Sequence, residues 1–159
     1  MNLIFRKGRV EDSRLLAKYR VEFLNEVLGN NDTENAAQLE HELVEYFQEH
    51  IANGSLVVWL VEKDSLIIST SSMVIWSVPF GYSGLGKKGR RGYILNMYTL
   101  KAYRKMGLAS KLLEKLIEEA RILKLELLSL NATDDGIGVY KKIGFADSRF
   151  PELKLKINP

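Results

Sequence analysis

An apolar run from Tyr93 to Leu100, a short turn carrying Arg104, Lys105 and Gly107, an amphipathic stretch from Leu108 and a second apolar run from Leu125 to Leu130 follow one another without interruption. Leu108, Leu112, Leu113, Leu116, Ile117, Ala120 and Leu123 recur at helical spacing on one side, against Lys111, Glu114, Lys115, Glu118 and Glu119 on the other. That is the amphipathic pattern of a helix covering a core. A strand, a helix and a second strand in this order place the strands parallel around a right-handed crossover.

The remaining segments carry patterns of their own. Leu3 to Phe5 reads as a first strand, and Leu15, Leu16, Tyr19, Phe23, Val27 and Leu28 mark a first helix ending at Gly29. A second helix, capped by Asp32 or Thr33, buries Ala36, Leu39, Leu43, Phe47 and Ile51 and stops at Gly54. Leu56 to Val61 and Leu66 to Trp76 flank Glu62-Lys63-Asp64-Ser65 as a hairpin. Residues 81 to 92, with five glycines, four basic residues and no periodicity, read as an exposed loop. Thr133 or Asp134 opens a short helix through Tyr140 that Gly144 closes, and Phe145 to Asp147 and Leu153 to Ile157 are two more strand candidates. The sum is a mixed α/β fold, a twisted central sheet of about seven strands flanked by four helices. A length of 159 residues with 46% hydrophobic content suits a single domain over 1–159.

Composition narrows the function. A net charge of +3 is too small for a nucleic-acid-binding surface, and the absence of cysteine excludes thiolate metal sites and a cysteine nucleophile. His41 and His50, nine residues apart on one helix, fall on different faces, so no metal is expected. Charges arrive too early for a signal peptide and no apolar run is long enough to span a membrane, which leads to the expectation of a cytoplasmic protein with no membrane or nucleic-acid partner.

The turn after Leu100 has specific chemistry. Gly107 permits close backbone approach, and the amides from about Lys105 to Ser110 are the unpaired donors of a helix's first turn, suited to pyrophosphate oxygens, with Arg104 and Lys105 adding positive charge. The stretch Asn96 to Ala109 resembles the acetyl-CoA signature of the GNAT superfamily of N-acetyltransferases, whose core is Arg/Gln-x-x-Gly-x-Gly/Ala. Leu130-Asn131-Ala132-Thr133 followed by Val139 to Phe145 resembles the family's second signature, ending in Tyr-x-x-x-Gly-Phe. The resemblance covers essentially the whole chain and implies a GNAT fold. It implies direct transfer of an acetyl group from acetyl-CoA to a primary amine of a small-molecule or peptide acceptor, and a homodimer is admissible.

It also implies roles for the matched positions. Met97, Tyr98 and Thr99 line the pantetheine arm, with backbone groups of Met97 and Thr99 binding it. Arg104, Lys105, Met106, Gly107, Leu108 and Ala109, with Ser110, hold the pyrophosphate, and Asn131 hydrogen-bonds the pantetheine. Tyr140 sits near the thioester sulfur as general acid. An unperturbed phenol near pKa 10 and a thiol near 8.5 make full proton transfer uphill by about 2 kcal/mol, so hydrogen bonding to the departing thiolate is Tyr140's larger contribution.

The base is less plainly written. An alkylamine of pKa near 10.4 is neutral in about 0.04% of molecules at pH 7, about 4.6 kcal/mol of deficit, so a base or a water chain to one is expected. Many GNAT enzymes carry a glutamate on or near the fourth strand, but Tyr93 to Leu100 contains no carboxylate; Glu22 and Glu26 on the first helix are the substitutes.

Two other readings exist. A GNAT fold binding CoA as a sensor without turnover fits the missing strand carboxylate. A nucleotide-binding module could use Gly81 to Lys87, which fits Gly-x4-Gly-Lys, but Lys88 stands where magnesium binding wants Ser or Thr and a strand follows where a helix is required. Lys87 to Arg91, a short basic stretch without interleaved aromatics, reads as a flap over the acceptor or a supplement to phosphate binding.

Overall fold

The computed structural model of the chain describes residues 2–29 and 33–157. Its elements run β1 (Ile4–Lys7), α1 (Ser13–Leu28), α2 (Thr33–Ala52), β2 (Leu56–Lys63), β3 (Leu66–Ser77), β4 (Arg90–Thr99), α3 (Leu108–Ile122), β5 (Leu127–Leu130) and α4 (Ile137–Ile143). The strands form one sheet in the order β1-β2-β3-β4-β5. The first three pairings are antiparallel and β4–β5 is parallel, as the crossover through α3 demands.

Side-chain alternation gives the sheet two apolar faces. On one, Leu56, Val58 and Leu60 of β2, Ile67 of β3 and Tyr98 of β4 pack with Leu16, Ala17 and Tyr19 of α1 and Phe47 of α2. On the other, Met73 and Ile94 meet Leu113, Leu116 and Ala120 of α3, with Tyr140 and Ile143 of α4 at the margin. Val61 and Ile68 pack under Leu108 and Leu112, so the first turn of α3 is anchored on the sheet. The α3 stripe is therefore buried as its spacing requires. Glu119, read as a solvent-facing residue, is instead 8% exposed and accepts an ion pair from Lys7 Nζ at 2.7 Å.

The sheet has five strands among the described residues, where about seven were expected. Phe145 cannot start a ladder because its N–H donates to Tyr140 O, closing α4 around the left-handed Gly144. Leu153, Leu155 and Ile157 alternate correctly for a strand but are 92%, 82% and 78% exposed and pair with nothing described. Periodicity supplies a face; it does not supply a neighbour.

Other boundaries shift by local causes. β4 begins at Arg90, three residues before the apolar run, because Arg90, Arg91 and Gly92 pair with Ser77, Trp76 and Ile75. The exposed loop thus ends before β4. Gly92 fits there by having no side chain, since a Cβ would lie 2.7 Å from both Leu128 Cδ2 and Met73 Sδ. α4 begins at Ile137 rather than Thr133, whose carbonyl accepts from Gly136 and Ile137 in the preceding turn. Leu39 on α2 is exposed, so the buried stripe of α2 is limited to its later turns. Of the two candidate caps of α2, Asp32 lies outside the described residues, as does the Thr33 side chain.

The N-terminal strand is tied to α1 by charge. Arg6 donates through Nη1 and Nη2 to Asp12 at 2.8 and 2.9 Å and through Nε to Glu62 at 2.9 Å. Burial pushes the Asp12 carboxyl up, but the Arg6 hydrogen bonds and the Arg9 amide outweigh it and hold it below its ordinary value. A carboxyl depressed in the folded state contributes stability above its unfolded pKa, which is lost as pH falls through the folded one. Asp12→Asn is expected to cost about 1–3 kcal/mol in urea unfolding at pH 7 and to remove part of the loss of stability on acidification below about pH 4.

Candidate active site

β4 and β5 pair only over Arg91–Leu127, Gly92–Leu128, Tyr93–Ser129 and Ile94–Leu130. Beyond Ile94, β4 runs on through Leu95 to Thr99, while β5 has ended and the exposed Asn131 leaves it. Two parallel strands that pair and then separate open a cleft at their carboxyl ends, where open α/β sheets place ligands.

At the point of separation β4 bulges. Ser72 pairs with Leu95 and Thr70 with Tyr98, so Asn96 and Met97 together oppose Ser71. Asn96 takes φ +53°, a left-handed conformation that Asn tolerates better than most residues. Thr70 Oγ1 donates to Asn96 O at 3.1 Å and Ser69 Oγ to Tyr98 O at 3.1 Å, pinning the bulge from β3. The extra residue changes which face each side chain occupies. Leu95 and Tyr98 both lie on the α1–α2 side, while Met97 packs on the α3 side. An asparagine within an apolar strand is the one local sign of the bulge.

The turn before α3 follows β4 directly. After a short helical turn at Lys101–Tyr103, Lys105 and Gly107 take φ +62° and +75° and lead into Leu108, which is 2% exposed. No described backbone carbonyl accepts from the amides of Lys105, Met106 or Gly107, and the first helical amide to be bonded is that of Lys111, donating to Gly107 O at 3.2 Å. With the first-turn amides of Leu108, Ala109 and Ser110, this makes a run of donors at the positive end of the α3 dipole. A Cβ on Gly107 would meet nothing within 4 Å, so the turn is open on that side. Arg104 begins the turn, but its side chain points elsewhere. Nε donates to Thr99 O at 2.9 Å, Nη2 reaches Glu26 Oε2 at 2.7 Å and the guanidinium lies 5.8 Å from the Tyr98 ring centroid.

Glu22 and Glu26, one turn apart on α1, come together around one phenol. Tyr98 Oη lies 3.1 Å from Glu22 Oε2 and 3.2 Å from Glu26 Oε1. The Tyr98 ring is 7% exposed and tilts against Tyr19 at 5.4 Å. Burial first, and then the two carboxylates, push its phenol well above the ordinary value, so it stays protonated. Burial alone would raise the Glu26 carboxyl, but the Arg104 hydrogen bond and charge, with Tyr98 and Lys101, hold it below. The side chain of Tyr98, expected among the donor-binding residues, is therefore turned to the α1 carboxylates.

Tyr140 lies on α4, its ring packed into the α3-side core and edge-on to Phe145 at 6.1 Å. Burial raises its phenol, and its hydroxyl has no hydrogen bond to a described residue.

Other sequence candidates fall away from this centre. Gly81 to Lys87 folds as a short helical turn at Tyr82–Gly84 and runs into β4, so no helix start stands behind it to face a phosphate. In the basic stretch, Arg90 donates to Leu123 O at 2.9 Å and Arg91 lies 3.8 Å from Glu126, which ties both into the fold. His41 pairs with Glu45 and His50 with Ser55. No group of three or more potential metal ligands is found among the described residues, and no described helix is long and apolar enough to cross a membrane.

The pattern of the acetyltransferase (GNAT) family matches residues 22–145. The chain belongs to that family and is an N-acetyltransferase with the GNAT fold. A predicted acetyltransferase from Clostridium acetobutylicum, solved with acetyl-CoA, is 33% identical over 96% of each chain, with a TM-score of 0.84. The fold is shared by a GCN5-related N-acetyltransferase from Ralstonia eutropha, at 20% identity over 97% of this chain and 99% of that one and a TM-score of 0.82. It is shared too by glucosamine-6-phosphate N-acetyltransferase from Arabidopsis thaliana, at 20% identity over 98% and 99% and a TM-score of 0.70. Among curated proteins none matches the sequence.

Proposed function

We propose that the chain uses acetyl-CoA as donor and transfers the acetyl group directly to the primary amine of a small molecule or peptide. The observation that carries this reading is the separation of β4 from β5 beyond Ile94 and Leu130, beside a turn whose amides from Lys105 to Ser110 are free to donate. The cleft suits an extended pantetheine arm, with backbone groups of Met97 and Thr99 on one wall and Asn131 on the other. The donor run at the α3 N-terminus suits a pyrophosphate. Lys105 adds charge there, whereas the Arg104 side chain is engaged with Glu26, so Arg104 serves the turn through its backbone.

In the transfer, the amine nitrogen attacks the thioester carbonyl carbon, the C–N bond forms and the C–S bond breaks. An α1 carboxylate first takes the proton that frees the attacking amine from its ammonium form, the proton the nitrogen loses on forming the amide accompanies the departing sulfur, and Tyr140 donates a hydrogen bond to the thiolate as it develops. Burial raises the Tyr140 phenol further above a thiol, which makes hydrogen bonding rather than full proton transfer its main contribution.

CoA release measured across polyamines, aminoglycosides, amino acids and peptides tests the reading, with Gly107→Val as control. At φ +75° a β-branched side chain is strained by about 1–3 kcal/mol, and relief of that strain shifts the backbone that presents the amides, so acetyl-CoA affinity is expected to fall at least about tenfold in calorimetry. Absence of acetyl-CoA binding by the unaltered protein would refute the proposal.

A further inference from the structure

We propose that Glu22, Tyr98 and Glu26 form a proton-accepting triad in which Glu22 takes the proton of the acceptor amine while Arg104 keeps Glu26 ionised. This rests on the acetyltransfer reading above and assigns its base. The Tyr98 hydroxyl lies within bonding distance of two carboxylate oxygens, 3.1 Å from Glu22 and 3.2 Å from Glu26, yet it carries one proton. With both carboxylates ionised it satisfies one and presents lone pairs to the other. One added proton resolves this: a protonated Glu22 donates to the Tyr98 oxygen, and the Tyr98 O–H donates to Glu26. The arrangement is one proton short of complete.

The geometry also decides which carboxylate receives it. Glu26 is held by Arg104 Nη2 at 2.7 Å and by Lys101 Nζ at 3.9 Å, so protonating it would break a charge-assisted bond. Among the described residues the only cation within reach of Glu22 is Lys18 Nζ, on the same helix, at 4.0 Å with a side chain 60% exposed. Tyr19 and Tyr98 are the other titratable groups bearing on Glu22, from α1 and β4, while Lys101 and Arg104 approach the pair from beyond β4 through Glu26. Glu22 is 38% exposed at its side chain, which leaves it open to the acceptor and to release of the proton to water.

The balance closes. A substrate ammonium gives one proton to Glu22, which passes it to solvent. The neutral amine then forms the C–N bond as the C–S bond breaks, and its second proton accompanies formation of the CoA thiol. Tyr98 touches the base and not the reacting atoms, so it is a positioning residue. Arg104 positions Glu26 in the same sense.

Two measurements test the triad on the intact protein. In kcat/KM profiles against pH with an active amine, Glu22→Gln is expected to lose about 30-fold or more and the acidic limb, Glu26→Gln to retain that limb, and Tyr98→Phe to lower kcat about tenfold. Acetyl-CoA affinity should stay within about twofold in all three, which separates failure of the triad from failure of donor binding. Independently of turnover, the infrared carbonyl band of a protonated glutamic acid, followed on acidification, should vanish in Glu22→Gln, shift in Tyr98→Phe and persist in Glu26→Gln. A band that vanishes in Glu26→Gln instead, or an unaltered profile in Glu22→Gln, overturns the assignment.

Discussion

Tyr140→Phe is expected to lower kcat by roughly 10- to 100-fold and to leave the Kd of acetyl-CoA within about twofold. The loss corresponds to one hydrogen bond to a developing thiolate, about 1.5–3 kcal/mol. The selectivity for kcat follows from the position of the ring. Tyr140 packs by its hydrocarbon body against the α3-side core and Phe145, contacts that phenylalanine reproduces, while only the unpartnered hydroxyl is lost. Single-turnover transfer and donor binding, measured side by side, separate the two effects. An unchanged kcat would remove Tyr140 from the mechanism.

Leu113→Ala carries the largest expected effect on the fold. Leu113 is fully buried between α3 and the sheet with Met73, Ile94, Leu116 and Ala120. Removing its branched end leaves a cavity that flanking elements cannot close, at a cost of about 2–5 kcal/mol. For a chain of this length each kcal/mol lowers Tm by about 2–4 °C, so a drop of about 5–15 °C is expected in thermal unfolding. Leu113→Met keeps the volume and should cost less than about 1.5 kcal/mol. Because Leu108 and Leu112 anchor the start of α3 separately, donor affinity well below Tm should change little in either variant.

The parts of this molecule that were legible in sequence are those governed by local rules. The α3 stripe is buried as its spacing requires, and Gly29, Gly54, Gly107 and Gly144 all take the left-handed conformations their positions imply. The positions of Lys105 to Ser110 and Asn131 beside the β4–β5 cleft follow from the same strand–turn–helix–strand order. What escaped depends on pairing between distant strands. The bulge at Asn96 is defined by β3, which lies more than twenty residues earlier, and it alone turns Tyr98 to the α1 face. The grouping of Glu22 and Glu26 with Tyr98 and Arg104 rests on hydrogen bonds between residues 72 to 78 apart in sequence and leaves no periodic trace. The alternation of Leu153, Leu155 and Ile157 is a local signal without the pairing that would make it a strand.

The order of strands in the sheet is the order of strands in the chain. β1 to β4 therefore each join their neighbour antiparallel, whereas β5 is reached through the α3 crossover and pairs with β4 over four residues where β2 and β3 share eight. Like β1 at the opposite edge, β5 is joined to the sheet by a short ladder, and short edge ladders with few buried contacts are where native sheets open most readily. In the proposed reading the donor lies along the β4–β5 seam, against β4, the start of α3 and the end of β5 together, so its binding would fasten a short edge ladder and the protein's resistance to unfolding is expected to rise with acetyl-CoA concentration.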